Sequence, residues 1–106
     1  MNNKIEKLAL NLLNHSIKLE KGEKILIEML GTECTDLAIE LVKQSKKIGA
    51  IPIFNIIDYK VLKEILIDAN EEQVKEYAKY DLIRIQNVDA YIGIRSANPK
   101  ELEGIS

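Results

Sequence analysis

The sequence predicts a small three-layer, Rossmann-like α/β domain in which helices flank a mostly parallel sheet of about three strands. Short apolar runs, typical of buried parallel strands, alternate with longer stretches whose apolar residues recur every three or four positions, as on one face of a helix. The 106 residues are also enough for one core, because a domain of this size buries roughly two-thirds of its unfolded surface. We therefore predict a single domain over residues 1–106.

The first half of the chain is predicted to alternate helix and strand. An amphipathic helix is expected first, because Ile5, Leu8 and Leu12 recur at helical spacing. Gly49 is the expected left-handed stop of the second helix. The predicted segments are a helix over residues 3–19, a strand over 24–30, a helix from the turn after Gly31 to residue 48, and a strand over 51–57.

The second half is predicted to contain two helices and a third strand. Asp58 can cap a short helix that runs to Asp68. Asn70, followed three residues later by Gln73, resembles a capping box and begins a helix that reaches residues 80–86. A strand is expected over residues 88–95, after which Asn98 and Pro99 break regular structure.

Charge and composition exclude several classes of partner and compartment. The net charge is −2 and the basic residues are dispersed, so no charged patch favours nucleic acid or an anionic membrane. The single cysteine cannot form an intramolecular disulfide, which favours a reducing compartment. The sequence has no secretory signal pattern and no apolar run near the roughly 20 residues that span a membrane. We therefore predict a cytoplasmic protein.

The turn "GTECT", which begins at Gly31, occupies the position of a phosphate-binding loop. Such loops need further glycines, or a lysine followed by serine or threonine, and this turn has neither. Glu33 and Asp36 are expected in the first helical turn, where carboxylates suit the helix dipole and repel phosphate. We expect an ordinary helix start, capped by Thr32 or a neighbour, in preference to an anion site.

Three further residues are candidates for chemistry. Cys34 lies near a helix start, but its acidic neighbours oppose thiolate formation and no base adjoins it. His15 is the only histidine, and one His with one Cys cannot assemble a typical zinc site. Arg95 is the most suggestive polar residue, because ligands of open α/β sheets gather at the carboxyl ends of strands. A surface or interdomain ion pair is the favoured alternative for this arginine.

Four segments together resemble the N-terminal domain of the thermophilic-type metallo-aminopeptidases, the family of leucyl aminopeptidase and aminopeptidases T and S. The segments are "LALNLLNHSIKLEKGEKILIE", "LAIELVKQSKKIGAIPIFNI", "YDLIRIQNVDAYIGIRSANPKEL" and the final "GIS". Each segment alone is weak, but their order and spacing cover nearly all of the chain.

This resemblance implies a cytoplasmic, homodimeric exopeptidase that removes N-terminal residues from peptides with two divalent metal ions of the Zn, Co or Mg type. The metal ligands of the family belong to a C-terminal catalytic domain, so the resemblance implies no catalytic, cofactor-binding or metal residue in this chain. It implies a domain that walls the active-site cavity and supports domain or dimer packing. Arg95 and Asn98 are then the candidates for lining the cavity or a domain interface.

Two other functions remain open. A free-standing α/β module could bind a small ligand near Gly31, Asn55 and Arg95. A purely structural module would instead associate with protein partners and bind no small molecule. In either case the chain would have no peptidase activity.

Overall fold

The computed structural model describes residues 3–95, which form an α/β domain and confirm the predicted class. The elements in chain order are α1 (Asn3–Asn11) with a π-helical turn (Leu12–Ser16) directly after it, β1 (Lys24–Leu30), α2 (Thr35–Ile48), β2 (Ile51–Ile57), α3 (Tyr59–Leu66), α4 (Glu71–Gln86) and β3 (Ala90–Arg95). The first two strands have the predicted bounds.

The three strands form one parallel sheet in the order β2-β1-β3. Leu26 of the central strand lies opposite Ile53 on β2 and Tyr91 on β3. Side chains alternate between the two faces along each strand. We call the face that carries Ile25, Ile27 and Met29 of β1 the aliphatic face, and the face that carries Leu26, Glu28 and Leu30 the Glu28 face.

The hydrophobic core lies on the aliphatic face, where the sheet packs against α1, the π-helical turn and α2. Its buried members are Ala9, Leu13, Leu19, Ile25, Ile27, Met29, Ala38, Leu41, Ala50, Ile92 and Ile94. Burial of one such leucine or isoleucine side chain contributes about 1.5–3 kcal/mol. The predicted stripe of the first helix is not its buried face: Leu8 is 46% exposed, and Ala9 and Leu13 reach the core instead.

The first helix differs from its prediction. The α-helix ends at Asn11 and not near residue 19, the next turn is π-helical, and Lys18 has φ +57°. Leu13 and Leu19 both reach the core. In a continuous helix, side chains six residues apart point about 120° away from each other. The break after Ser16 lets both leucines point into the core.

Two other element ends are displaced by two residues. The third helix ends at Leu66, since Ile67 is extended and Asp68 has φ +54°. The third strand begins at Ala90 and not at residue 88. Before it, Asp89 bonds to Lys24 twice: its carboxylate accepts from the Lys24 N–H at 2.9 Å, and its own N–H donates to the Lys24 carbonyl at 2.8 Å.

The predicted helix signals of the middle and second half are confirmed. Gly49 ends α2 in the left-handed conformation with φ +91°. The Asp58 carboxylate accepts from the N–H groups of Lys60 and Val61 at the start of α3. Asn70 and Gln73 form the reciprocal capping box of α4. These local signals need only neighbouring residues, which is why the sequence reveals them.

The remaining two helices are packed less closely than the first two. No residue of α3 or α4 is buried, although α3 is strongly amphipathic. Their exposed large apolar residues are Val61, Ile65, Leu66, Val74, Tyr80, Leu82, Ile83 and Ile85. Much of the apolar surface of these helices therefore faces solvent.

None of the helices within residues 3–95 has the length and apolar content needed to cross a bilayer.

Candidate functional site

A carboxylate is buried at the centre of the sheet. Glu28 is the fifth residue of β1, an otherwise apolar strand apart from its first lysine, and only 5% of its surface is exposed. A buried ionised carboxylate is very costly unless it is paired and hydrogen-bonded. The partners of Glu28 therefore define a polar site in the middle of the sheet.

Three elements supply partners for this carboxylate. Asn55 of β2 donates its side-chain amide to Oε2 at 3.0 Å, and the Tyr91 hydroxyl of β3 donates to Oε1 at 2.8 Å. Arg84 of α4 places Nη2 at 2.5 Å from Oε2. The strand register aligns Asn55 with Glu28 and places Tyr91 two residues before the aligned position on β3. The side chains of Glu28, Asn55 and Tyr91 therefore share the Glu28 face.

Gly93 allows Tyr91 to reach the carboxylate. It is the β3 residue directly opposite Glu28, and it leaves that position without a side chain. A Cβ atom at Gly93 would lie 3.0 Å from the Tyr91 hydroxyl oxygen and 3.4 Å from the ring, closer than an ordinary van der Waals contact of about 3.5–4.0 Å. The phenol thus lies over the glycine and extends from β3 towards β1.

Arg84 is held between two carboxylates. Its Nη2 also lies 2.6 Å from Oδ1 of Asp81, one turn earlier on α4. Burial alone lowers the pKa of Arg84, but the hydrogen bond to Asp81 and the negative charges of Glu28 and Asp81 raise it above its usual value. The guanidinium therefore remains charged at every working pH, and Arg84 links α4 to the sheet.

Tyr91 is a hydrogen-bond donor to Glu28 in this arrangement and not a base. Partial burial, followed by the hydrogen bond to the Glu28 carboxylate and its charge, raises the pKa of Tyr91 to about 12. The phenol stays protonated at neutral pH and donates to Glu28. We call these five side chains, Glu28, Asn55, Asp81, Arg84 and Tyr91, the Glu28 network.

The chemistry of the Glu28 network suits structure better than metal binding. Three donors occupy the oxygens of Glu28, and one of them is a guanidinium that repels a cation. Within residues 3–95, no three His, Cys, Asp or Glu side chains are grouped so that they could hold a metal ion. The described residues around Glu28 therefore offer no open ligand position for a divalent ion.

The structure places Arg95 on the same face as this network. It is the exposed last residue of β3 and lies opposite Leu30, two residues beyond the position aligned with Glu28. Its side chain is therefore at the carboxyl edge of the sheet, as predicted. The other candidate, Asn98, lies outside the described residues.

The turn after β1 begins a helix without a side-chain cap. Gly31 has φ +83° and donates its N–H to the Ile57 carbonyl at 2.8 Å. The N-cap residue of α2 is Cys34, and no side chain accepts a bond there. The expectation of a Thr32 cap is wrong: its carbonyl accepts the Thr35 hydroxyl at 2.7 Å. Glu33 precedes the helix, so only Asp36 lies in the first turn.

The other sequence candidates are not brought together. Cys34 is partly exposed at the start of α2. His15 is exposed at the end of the π-helical turn, beside a shallow groove of about 460 Å³ lined by α1 and turn residues. No base adjoins the thiol in the described contacts, and the structure gives neither residue a ligand set.

Of the five residues in the Glu28 network, the sequence singles out only Asn55, as a possible ligand contact, and does not predict the other four. The signal available was Glu28 itself, a single carboxylate inside the run "ILIEML". A charged residue within a strand buried on both faces needs a partner. The partner arginine is 56 residues away in sequence, so only the folded arrangement identifies it.

Comparisons with known proteins agree with this fold. All 106 residues match the family described as thermophilic metalloprotease (M29), and no curated protein matches the chain. Among solved structures, the chain is similar to wild-type AmpT from Thermus thermophilus, with a TM-score of 0.65 and 25% identity over 98% of this chain. It spans 27% of the length of AmpT. The chain therefore belongs to the thermophilic metalloprotease family, M29.

Proposed function

We propose that this chain is the N-terminal, non-catalytic α/β domain of a metal-dependent aminopeptidase, which hydrolyses N-terminal residues from peptides. The observation that carries the proposal is the M29 match over all 106 residues, in a chain that spans only 27% of AmpT. The two divalent ions and their ligands are assigned to a separate catalytic domain. The proposal also includes a cytoplasmic location and a homodimeric parent enzyme.

The role proposed for the domain is to wall the active-site cavity and to support packing between domains or subunits. Its well-packed part is the sheet with α1 and α2, which has a continuous aliphatic core. The exposed apolar residues of α3 and α4 offer surface that another domain can cover. Arg95 is proposed to line the cavity or the domain interface from the carboxyl edge of the sheet, and Asn98 is proposed with it.

A peptidase assay tests the non-catalytic role. The purified chain is incubated with leucine p-nitroanilide and either Co²⁺ or Zn²⁺, with a chelated sample as the control. We expect release of p-nitroaniline at the rate of the chelated sample. Hydrolysis well above that control, abolished by chelation and restored by metal, would show that the chain carries a catalytic site and would overturn the proposal.

Inspection of the source gene tests the domain assignment separately. We expect the reading frame to continue past Ser106 into a region rich in His and Glu, the residues that bind divalent metals in hydrolases. A stop codon directly after Ser106 would contradict the assignment to a larger enzyme. Binding of the chain to a separately produced M29 metal domain, weakened by Arg95→Ala, would support the role given to Arg95.

A further inference from the structure

The segment between β2 and β3 contributes little to the hydrophobic core. We call residues 59–86, which contain α3 and α4, the α3–α4 flap. Within the described part of the chain, the members of the core cluster and the apolar residues packed against it all lie outside this flap. On the Glu28 face, Leu26 is buried apart from that cluster. Because neither flap helix has a buried residue, the apolar contact between flap and sheet is small.

The side of α4 that meets the sheet is polar. The partly covered residues of α4 are Tyr77, Asp81 and Arg84, and their spacing of four and then three places them on one helix face. Arg84 contacts the sheet through its ion pair with Glu28. Its buried Nε–H has no partner among the described residues, and removal of both charges from water also costs free energy. The net stabilisation of the closed flap is therefore modest.

The Glu28 network consists of two halves that are each paired internally. On the sheet, Glu28 accepts hydrogen bonds from Asn55 and Tyr91. On α4, Arg84 is paired with Asp81. If the ion pair between Arg84 and Glu28 breaks, each charged group keeps a partner and gains contact with water. Separation of the two halves therefore avoids the large penalty of an unpaired buried charge.

The chain is fixed to the sheet on both sides of the flap. Before the flap, the Ile57 carbonyl accepts the Gly31 N–H at 2.8 Å, and after it, the Asp89 N–H donates to the Lys24 carbonyl at 2.8 Å. The strand β3 then pairs with β1 along its whole length. The flap can therefore leave the sheet while these strand contacts stay intact.

We propose that the α3–α4 flap opens from the Glu28 face while the sheet, α1 and α2 stay folded, and that the ion pair between Arg84 and Glu28 holds it closed. Segments with few buried apolar contacts open in this way without global unfolding. Away from the sheet, the eight residues of α3 and the 16 of α4 are marginal as helices in water, so opening also melts them. This inference goes beyond the proposed function, because it concerns a motion within the domain.

Hydrogen exchange of the backbone amides in the 106-residue chain tests whether the flap opens independently. Leu41→Ala removes a fully buried side chain of α2, which is packed in both the closed and the open state. We expect the most protected amides of β1 and α2 to exchange faster by roughly tenfold or more. The α4 amides of residues 80–84 should keep their natural rate, because the variant destabilises both flap states equally.

The opposite result would overturn the proposal. If the amides of residues 80–84 accelerated as much as those of β1, the flap would open only when the whole chain unfolds. Circular dichroism shows whether Leu41→Ala is folded. Ile27→Val, a milder change at a fully buried position of β1, provides the same comparison with an expected acceleration of about fivefold for the core amides.

A second variant tests the contact that holds the flap closed. Arg84→Met removes the ion pair with Glu28, and we expect the amides of residues 80–84 to exchange faster by roughly tenfold or more. The matched control is Lys79→Met, which removes a lysine that pairs only within α4, with Glu76, and should change the rate by less than about twofold. Equal exchange rates in the two variants would show that Arg84 does not hold the flap.

Brief trypsin digestion of the folded chain tests whether α3 belongs to the flap, since cleavage follows the population of the open state. We expect cleavage after Lys63 of α3 and Lys75 of α4 to precede cleavage after Lys46 and Lys47, which are exposed in the last turn of α2. Cleavage of α2 as early as α3 would contradict an opening that leaves α2 folded.

Discussion

The two faces of the sheet are covered through different interactions, aliphatic packing on one and a hydrogen-bonded ion pair on the other. On the aliphatic face, α2 and the segment from α1 through the π-helical turn bury a continuous set of aliphatic side chains. On the Glu28 face, polar side chains bind α4 to the sheet through one carboxylate and one guanidinium. The comparison teaches that an amphipathic sequence does not by itself decide whether a helix is buried. Strongly amphipathic α3 has no buried residue, whereas α2 has five.

The largest expected loss of stability comes from a substitution in the buried face of α2, and the comparison with α3 tests how differently the two helices are packed. Leu41→Ala removes a fully buried side chain of α2, and we expect the free energy of unfolding to fall by about 3 kcal/mol. The matched change Val61→Ala on α3 removes a side chain that is 60% exposed and should cost less than about 0.5 kcal/mol. Urea unfolding measures both. Similar losses for the two variants would mean that α3 is packed as closely as α2.

Substitution of Arg84 tests how much the ion pair with Glu28 stabilises the Glu28 face. Arg84→Met leaves the Glu28 carboxylate buried without its charged partner, so we expect a loss of about 3 kcal/mol in unfolding free energy. The double variant Glu28→Gln/Arg84→Met buries a neutral amide in place of the charge and should be the more stable of the two. Urea titrations of both variants measure this difference. If the double variant were less stable than Arg84→Met, an unpaired charge would not be the cause.

The strand positions could be predicted because their signals are local. Apolar runs and turn residues delimit Lys24–Leu30 and Ile51–Ile57 to the residue. The end of the first helix could not be predicted, because it depends on which side chains the sheet and α2 can bury. The Glu28 network depends on strand register, which brings together residues 27 and 63 positions apart. Arg95 could be placed at the carboxyl edge because strand direction alone determines that position.

Loss of the Tyr91 hydroxyl should have an intermediate effect. Tyr91→Phe removes a hydrogen bond to a carboxylate, and we expect a loss of about 1 kcal/mol because the residue is partly exposed. The raised pKa also predicts a pH dependence. The folded state favours the protonated phenol, so its stabilising effect is complete below pH 10 and is lost as the pH rises towards about 12.

Phenolate absorbance measures this titration. While circular dichroism shows the chain to be folded, the natural protein should have an absorbance step near pH 12 that Tyr91→Phe lacks. The same titration curve for both proteins would contradict the proposed hydrogen bond to Glu28. Tyr80→Phe, which changes an exposed tyrosine of α4, is the matched control and should retain the step.

The smallest expected change in stability comes from Lys18, the residue just before the buried Leu19. Lys18 has φ +57°, a conformation that costs a residue with a side chain about 1–2 kcal/mol. Lys18→Gly relieves this cost but loses more backbone entropy on folding, so we expect a net gain of about 0.5 kcal/mol. Thermal unfolding measures the change. A clear loss of stability would show that the Lys18 side chain makes a stabilising contact.

The contact between Gly93 and Tyr91 makes the effects of substitutions at these two positions depend on each other. With tyrosine at 91, a side chain at 93 must displace the phenol that donates to Glu28. With a small residue at 91, a side chain at 93 contacts no ring. Its main effect is then to favour the strand conformation of β3, because glycine has a low β-propensity. A substitution at Gly93 can therefore be harmful in one sequence and favourable in another. When both positions are substituted one after the other, the order of the two substitutions decides whether the single variant between them is stable.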